Sequence, residues 1–261
     1  MTTYRSFPDA GYTVIRGGDG SILTFDHGPL GLPPLYNHGH ADALSITLSV
    51  NGRAILVDPG TYRYNGEPEF RRYFKGTRAH NTVTVDGEDQ AVQETGFIWS
   101  RPFKATLVRA SEISDGMILE GYHDGYVRLN KPVEHRRTIL CFGGRHFLIR
   151  DTFSGVGIHD FELNYHIPPD ATAAKRNGWW GIEHGGEAVF IRLLAGEDFQ
   201  LIVGQENPPF GWFSPAYGIK LKSGVLSSLK KGRVEDIMFL SAICVGSPVD
   251  AEELREKATS I

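Results

Sequence analysis

Apolar and polar positions along this chain alternate in short bursts rather than in helical stripes. In the clearest burst Leu44, Ile46, Leu48 and Val50 are apolar, while Ser45, Thr47 and Ser49 between them are polar. A strict period of two marks a strand with one buried face. Asn51-Gly52 follows at once and permits a type I′ turn into Ala54-Ile55-Leu56-Val57. Comparable β-branched or aromatic runs occupy Tyr12 to Arg16, Ile22 to Phe25, Thr82 to Val85, Phe103 to Val108, Thr138 to Phe142 and Phe147 to Phe153. Turn pairs fall between the runs: Asp19-Gly20, Asp86-Gly87, Asp115-Gly116, Asp124-Gly125 and Gly143-Gly144. This cadence predicts an all-β fold, a large antiparallel β-sandwich with little helix. The one helix predicted is Asp250 to Lys257, with acids first and bases last as the helix dipole prefers.

Composition narrows the class. No linker, repeat or composition break divides residues 1–261, so one β-domain is expected. The 31 glycines and 14 prolines exceed average usage and favour many turns over long helices. A net charge of −4 leaves no basic field for nucleic acid and no polybasic patch for a membrane surface. The longest nearly apolar run, Ile237 to Val245, is far shorter than the ~18 residues of a membrane span. The opening Met1-Thr2-Thr3-Tyr4-Arg5-Ser6 has no apolar signal core. Cys141 and Cys244 form no Cys-x-x-Cys and are expected as two buried thiols.

The histidines carry the candidate chemistry. His38-Gly39-His40-Ala41-Asp42 precedes the strand at Leu44, Asp58 closes the next strand, and His80 stands just before another strand. A two-residue turn at Asn51-Gly52 would pair Val50 with Arg53 and Ser45 with Asp58, bringing the His38–His40 loop and Asp58 to one end of the hairpin. Two imidazoles and a carboxylate suit zinc, with a further position left for water or another ligand. Asp42 is the competing carboxylate, read first as a turn residue bonding the backbone.

Ordered motifs carry a resemblance. Asn37-His38-Gly39-His40-Ala41-Asp42-Ala43-Leu44-Ser45, Val57-Asp58-Pro59-Gly60-Thr61-Tyr62-Arg63-Tyr64, Arg72-Tyr73-Phe74 and Ala79-His80-Asn81-Thr82-Val83-Thr84-Val85-Asp86-Gly87 together resemble the heparinase II/III-like polysaccharide lyases. Phe7-Pro8-Asp9-Ala10-Gly11-Tyr12, His135-Arg136-Arg137 and Asp151 agree with that family's β-domain. The resemblance implies an α/α toroid followed by a β-sandwich, of which this chain resembles the sandwich alone. It also implies β-elimination on a uronate-containing acidic polysaccharide of heparan, heparin or alginate type, with export to the periplasm or beyond. The family's zinc would fall on His40, Asp58 and His80, and its active-site histidine on His38. Tyr64 is the first candidate for the catalytic tyrosine and Tyr73 the second, with Asn37, Arg71 and Arg72 as candidate substrate contacts. Trp179-Trp180 and Gly211-Trp212-Phe213-Ser214-Pro215 offer possible sugar-stacking faces, with core or loop anchoring as the alternative. Two readings of other classes stay open. One is a zinc hydrolase or cupin-like enzyme, which lacks its expected His after Asp42 or Glu a few residues on. The other is a non-catalytic carbohydrate-binding or assembly module.

Overall fold

The structure is a computed structural model and describes residues 2–114 and 116–259; Met1 and Asp115, on which two of the sequence readings fall, lie outside the described residues. Ile46–Val50 runs antiparallel to Arg53–Leu56, with Asn51 at φ 49° and Gly52 at φ 78°, the geometry expected of a type I′ turn. Val50 pairs with Arg53 and Ser49 with Ala54, but Leu48 then faces Leu56, so the register slips by one. The predicted pairing of Ser45 with Asp58 is therefore corrected. A regular pleat would turn either Ile55 or Leu56 outward; the bulge buries both. The chain then leaves the hairpin, and the Val57 amide donates to the His166 carbonyl at 3.0 Å.

Thr3–Phe7, Tyr12–Arg16, Ser21–Asp26, Ile46–Val50 and Arg53–Leu56 form a five-stranded meander. An eight-stranded sheet runs, in spatial order, Thr172–Arg176, Trp179–His184, Glu187–Ala195, Met238–Val245, His146–Gly155, Val133–Phe142, Gly116–His123 and Ala105–Ile113. A four-stranded sheet joins Gln200–Val203, Gly224–Arg233, Ile158–Ile167 and Val83–Val85. All pairings are antiparallel, as the sequence pattern predicts.

Alternation along the eight-stranded sheet builds the sandwich. Ile139, Cys141, Phe147, Ile149 and Ile243 on one face join a core with Leu23, Phe25 and Leu48 of the five-stranded sheet and Phe161, Leu163 and Leu226 of the four-stranded sheet. The opposite face presents Leu140, Leu148, Ala242 and Cys244 to Leu254 of the helix Ala251–Ala258. That helix stands where predicted, and Asp250 caps it by accepting from the Glu252 amide. Cys141 and Cys244 are buried free thiols on opposite faces of the sheet. A second helix, Pro68–Lys75, was not expected from the strand cadence. Among the described residues no helix is long and apolar enough to cross a membrane.

Candidate functional site

Four side chains from three separated segments meet at one end of the five-stranded sheet. The ligating atoms of His40, Asp42, Asp58 and His80 all lie within 4.8 Å of one another. His40 Nδ1 is 3.1 Å from His80 Nε2, and His80 Nε2 is 3.4 Å from Asp58 Oδ2. His80 Nδ1 donates to the Gly76 carbonyl at 2.7 Å, which aims Nε2 at the cluster in the manner of a metal ligand. Asp58 Oδ1 accepts from the Gly60 amide at 2.9 Å, leaving Oδ2 for the cluster. Asp42, the competing carboxylate of the sequence reading, lies with these donors, and its carbonyl accepts from the Ser45 amide at 2.9 Å. Its spacing from His40 was visible; its convergence with Asp58 and His80 required the fold.

Local backbone explains the convergence. A side chain at Gly39 would begin 1.7 Å from the Leu30 carbonyl oxygen, so the His-Gly-His loop closes only with glycine there. Leu44 ends the loop at φ 62°, a strained conformation for a bulky residue. Its amide donates to Asp26, and its carbonyl accepts from Arg137 Nη1 at 2.7 Å. The same Nη1 donates to the Asn81 carbonyl at 2.6 Å, next to His80. The Asn81 side-chain amide donates to the Ile46 and Val57 carbonyls, and its oxygen accepts from the His166 amide. Arg137 and Asn81 thus tie together the three segments that supply the donors. Arg137 is itself fully buried and held by Asp151 through Nε at 2.7 Å and Nη2 at 3.1 Å. His135 and then His123 extend this chain of polar contacts through the core.

The clustered donors perturb one another's protonation. Burial and the Asp26 charge push the Asp42 carboxyl well above its ordinary range. Burial pushes Asp26 up to about 6, with the Asp58 charge adding to it. His40 is lowered to about 4 by burial and by the charge of His80. Burial also disfavours the His80 cation, but its hydrogen bond and attraction to Asp58 outweigh that and raise it to about 9. Two imidazoles and two carboxylates crowded this closely fit a divalent cation of tetrahedral nitrogen and oxygen preference.

His38 stands beside this cluster, exposed, between two depressions of about 330 and 450 Å³. The first holds Tyr12, Asp26 and Asp42; the second holds Asn37 and the Leu32–Leu35 turn. Tyr64 Oη lies 3.4 Å from His38 Nδ1, and the rings meet edge to face. The structure thus brings His38 and Tyr64, separate candidates from the sequence, into contact.

Other expected site residues behave differently. Tyr73 is buried, and its hydroxyl accepts from the Gly211 and Trp212 amides at 3.1 and 3.3 Å, so it anchors a hairpin and does not face His38. Arg71 is 2% exposed; its Nε donates to the Gly96 carbonyl, and its guanidinium carbon lies 5.0 Å from the Tyr64 ring centroid. It supports Tyr64 from beneath and is corrected as a direct substrate clamp. The helix explains both corrections, because Pro68–Lys75 turns Arg71, Tyr73, Phe74 and Lys75 inward. Arg72 and Asn37 are exposed.

The fold has counterparts among known proteins. A family model described as heparinase II/III-like, C-terminal, matches residues 2–238. The chain belongs to the heparinase II/III-like C-terminal family. A heparin-sulfate lyase of Bacteroides stercoris is 25% identical over 97% of this chain. Two solved structures superpose with TM-scores of 0.74: a heparinase III gene product, 21% identical over 93% of the chain, and a heparan sulfate lyase from Pedobacter heparinus, 18% identical over 95%. These structural likenesses show that the sandwich expected of the heparinase II/III-like C-terminal family is present. The chain spans 36% of the length of the Bacteroides relative, and 36% and 37% of the two solved chains.

Proposed function

We propose that this heparinase II/III-like domain forms one wall of a polysaccharide lyase site that cleaves uronate-containing glycans by β-elimination. The observation that carries the reading is the pairing of exposed His38 and Tyr64 beside the His40–Asp42–Asp58–His80 cluster. In this reaction the C5–H and C4–O4 bonds break, C4 and C5 become doubly bonded, and O4 leaves with a proton. His38 and Tyr64 share a proton-transfer contact at the surface, so between them they take the C5 proton and return one to O4. Arg71 beneath the Tyr64 ring holds that ring in place through a cation–π contact.

His40, Asp58 and His80, with Asp42 as a further donor, hold zinc in this reading. When bound, zinc supplies a fixed charge that neutralises the crowded carboxylates and locks the loop carrying His38. A helical toroid, as the family resemblance implies, supplies the group that neutralises the uronate carboxylate.

The test measures turnover of heparan sulfate, alginate and polyglucuronate by this chain together with a helical toroid domain, through the ultraviolet absorbance of the unsaturated uronate, with metal analysis of the same preparation. His38→Ala should remove turnover while leaving one zinc per chain. Hydrolysis without unsaturation, or metal-free protein with full turnover, would overturn the reading.

A further inference from the structure

Three aromatic rings meet beside His38 from parts of the chain far apart in sequence. Phe97 stacks on Tyr64 with centroids 5.8 Å apart and planes 20° apart, and Tyr217 leans on the same ring at 5.9 Å. Tyr217 nevertheless remains 65% exposed and Phe97 38%. Contiguous exposed aromatic surface of this kind marks a place that something else covers.

The hairpin that carries Tyr217 is fixed. Trp212–Ala216 pairs with Ile219–Lys222, and Tyr217 stands at the turn between them. The Ser214 amide donates to the Pro59 carbonyl at 2.7 Å, and the Gly218 amide to the Tyr62 carbonyl at 2.8 Å. Tyr73 holds its base through the Gly211 and Trp212 amides. Lys220 lies 3.3 Å from the Phe70 ring centroid and pairs with Glu67. Trp212, which the sequence offers as a stacking face, is instead a buried anchor packed edge-on against Phe70. The presented face is Tyr217.

We propose that Tyr217 and Phe97, flanking Tyr64, form a stacking subsite for a pyranose ring of the glycan adjoining the bond cleaved at His38. This rests on the acidic-glycan reading above and deepens it. A pyranose has an apolar C–H face and polar edges, so stacking on a flat ring removes water from both without needing a donor. An anionic glycan also needs a cation at the edge of that platform. Arg63 stands there: its guanidinium lies 5.3 Å from the Tyr62 ring centroid, and its Nε is 3.5 Å from where a side chain at Gly218 would begin. The same segments that place Asp58 and Tyr64 therefore place an aromatic face with a basic edge.

The experiment titrates this chain with hexasaccharides of heparan sulfate, alginate and polyglucuronate by calorimetry. For any that bind, Tyr217→Ala and Phe97→Ala should each weaken affinity by about three- to tenfold, and Tyr217→Trp should keep it. Tyr217→Ala removes no charge, so the salt dependence of binding should match the unsubstituted chain, whereas Arg63→Gln should flatten it. Circular dichroism confirms folding, since Tyr217 lies at an exposed turn. If the unsubstituted chain binds and Tyr217→Ala binds within twofold, the subsite is wrong while the glycan reading stands. Tyr217→Ala altering self-association in sedimentation, with glycan affinity unchanged, also overturns the subsite. If none of the three hexasaccharides binds the unsubstituted chain, the glycan reading falls and takes the subsite with it.

Discussion

The Arg137–Asp151 pair offers the sharpest test of how this site is built. Arg137→Met keeps much of the side-chain volume and removes the charge from the middle of the core. Three losses follow together. Asp151 keeps only its contact from His135, and the Leu44 and Asn81 carbonyls lose the guanidinium that both share. Breaking a buried ion pair from one side costs about 3–5 kcal/mol, because the remaining charge is left without its partner. Each deprived carbonyl adds up to about 1–3 kcal/mol, in part overlapping the first loss. Against a total stability of about 5–15 kcal/mol, the single variant should lose at least about a fifth.

The double variant Arg137→Met/Asp151→Leu separates charge from clamp. It removes both members of the pair, so most of the ion-pair penalty should return as a coupling energy above about 2 kcal/mol. The carbonyls of Leu44 and Asn81 remain without their donor in both variants. Zinc affinity should therefore stay weakened in the double variant even where its stability recovers. Urea unfolding with an unchanged m-value gives the stabilities, and competition with a chromogenic chelator gives the zinc affinity. A single variant within about 1 kcal/mol of the original chain would refute the ion-pair argument. Native zinc affinity in the folded double variant would show that the clamp does not set the site.

His40→Ala should abolish the zinc-dependent rise in melting temperature while His38→Ala retains it, because only the first removes a donor; scanning calorimetry at about a hundredfold excess over Kd reads a native difference near 2.7 kcal/mol. In metal-free protein, the buried histidines should lower stability as pH drops below 6.5, while Asp26 and Asp42, whose carboxyls burial raises, oppose them. Burial holds His123 and His135 below their ordinary value and His166 down to about 3, so the unfolded chain takes up protons that the fold excludes. Each such histidine contributes a slope approaching about 1.4 kcal/mol per pH unit; His166→Gln should therefore lessen the loss of stability between pH 7 and 5, and an unchanged pH profile would contradict it. Tyr73→Phe should cost about 1–3 kcal/mol by leaving the Gly211 and Trp212 amides without an acceptor, with zinc stoichiometry unchanged; a loss of zinc would return Tyr73 to the site.

The sequence was most legible where one local rule decided the outcome. Tyr12–Arg16 forms with its expected bounds, and Asn51-Gly52 turns as its positive-φ preference demands. The same dipole logic that found the C-terminal helix was available for Pro68–Lys75, with Pro first, Glu69 early, and Arg72 and Lys75 late. The strand cadence, with little helix expected, hides it, and so the sequence places Arg71 and Tyr73 on a surface they do not occupy. The register slip at Ile55 depends on what Ile55 and Leu56 pack against, which no hairpin rule contains. Tyr217 and Phe97 reach Tyr64 only through tertiary contacts, so no spacing in the chain announces them.

A site built on loops needs its rigidity from elsewhere, and here it comes from the core beneath. His40 and Asp42 precede one strand, Asp58 follows the next, and His80 follows a short helical turn. Left to solvent, such segments would move independently, because few apolar contacts hold them. Their carbonyls instead point down onto Arg137 and Asn81, side chains buried within the sandwich. Burying a guanidinium is costly, and for stability alone an apolar pair of similar volume would often serve as well. The arrangement makes sense when the charged pair fixes the relative positions of the three segments. His38 is then left exposed on a loop that its neighbours hold still, as its proposed role in proton transfer needs when reactant positioning contributes several kcal/mol to the rate.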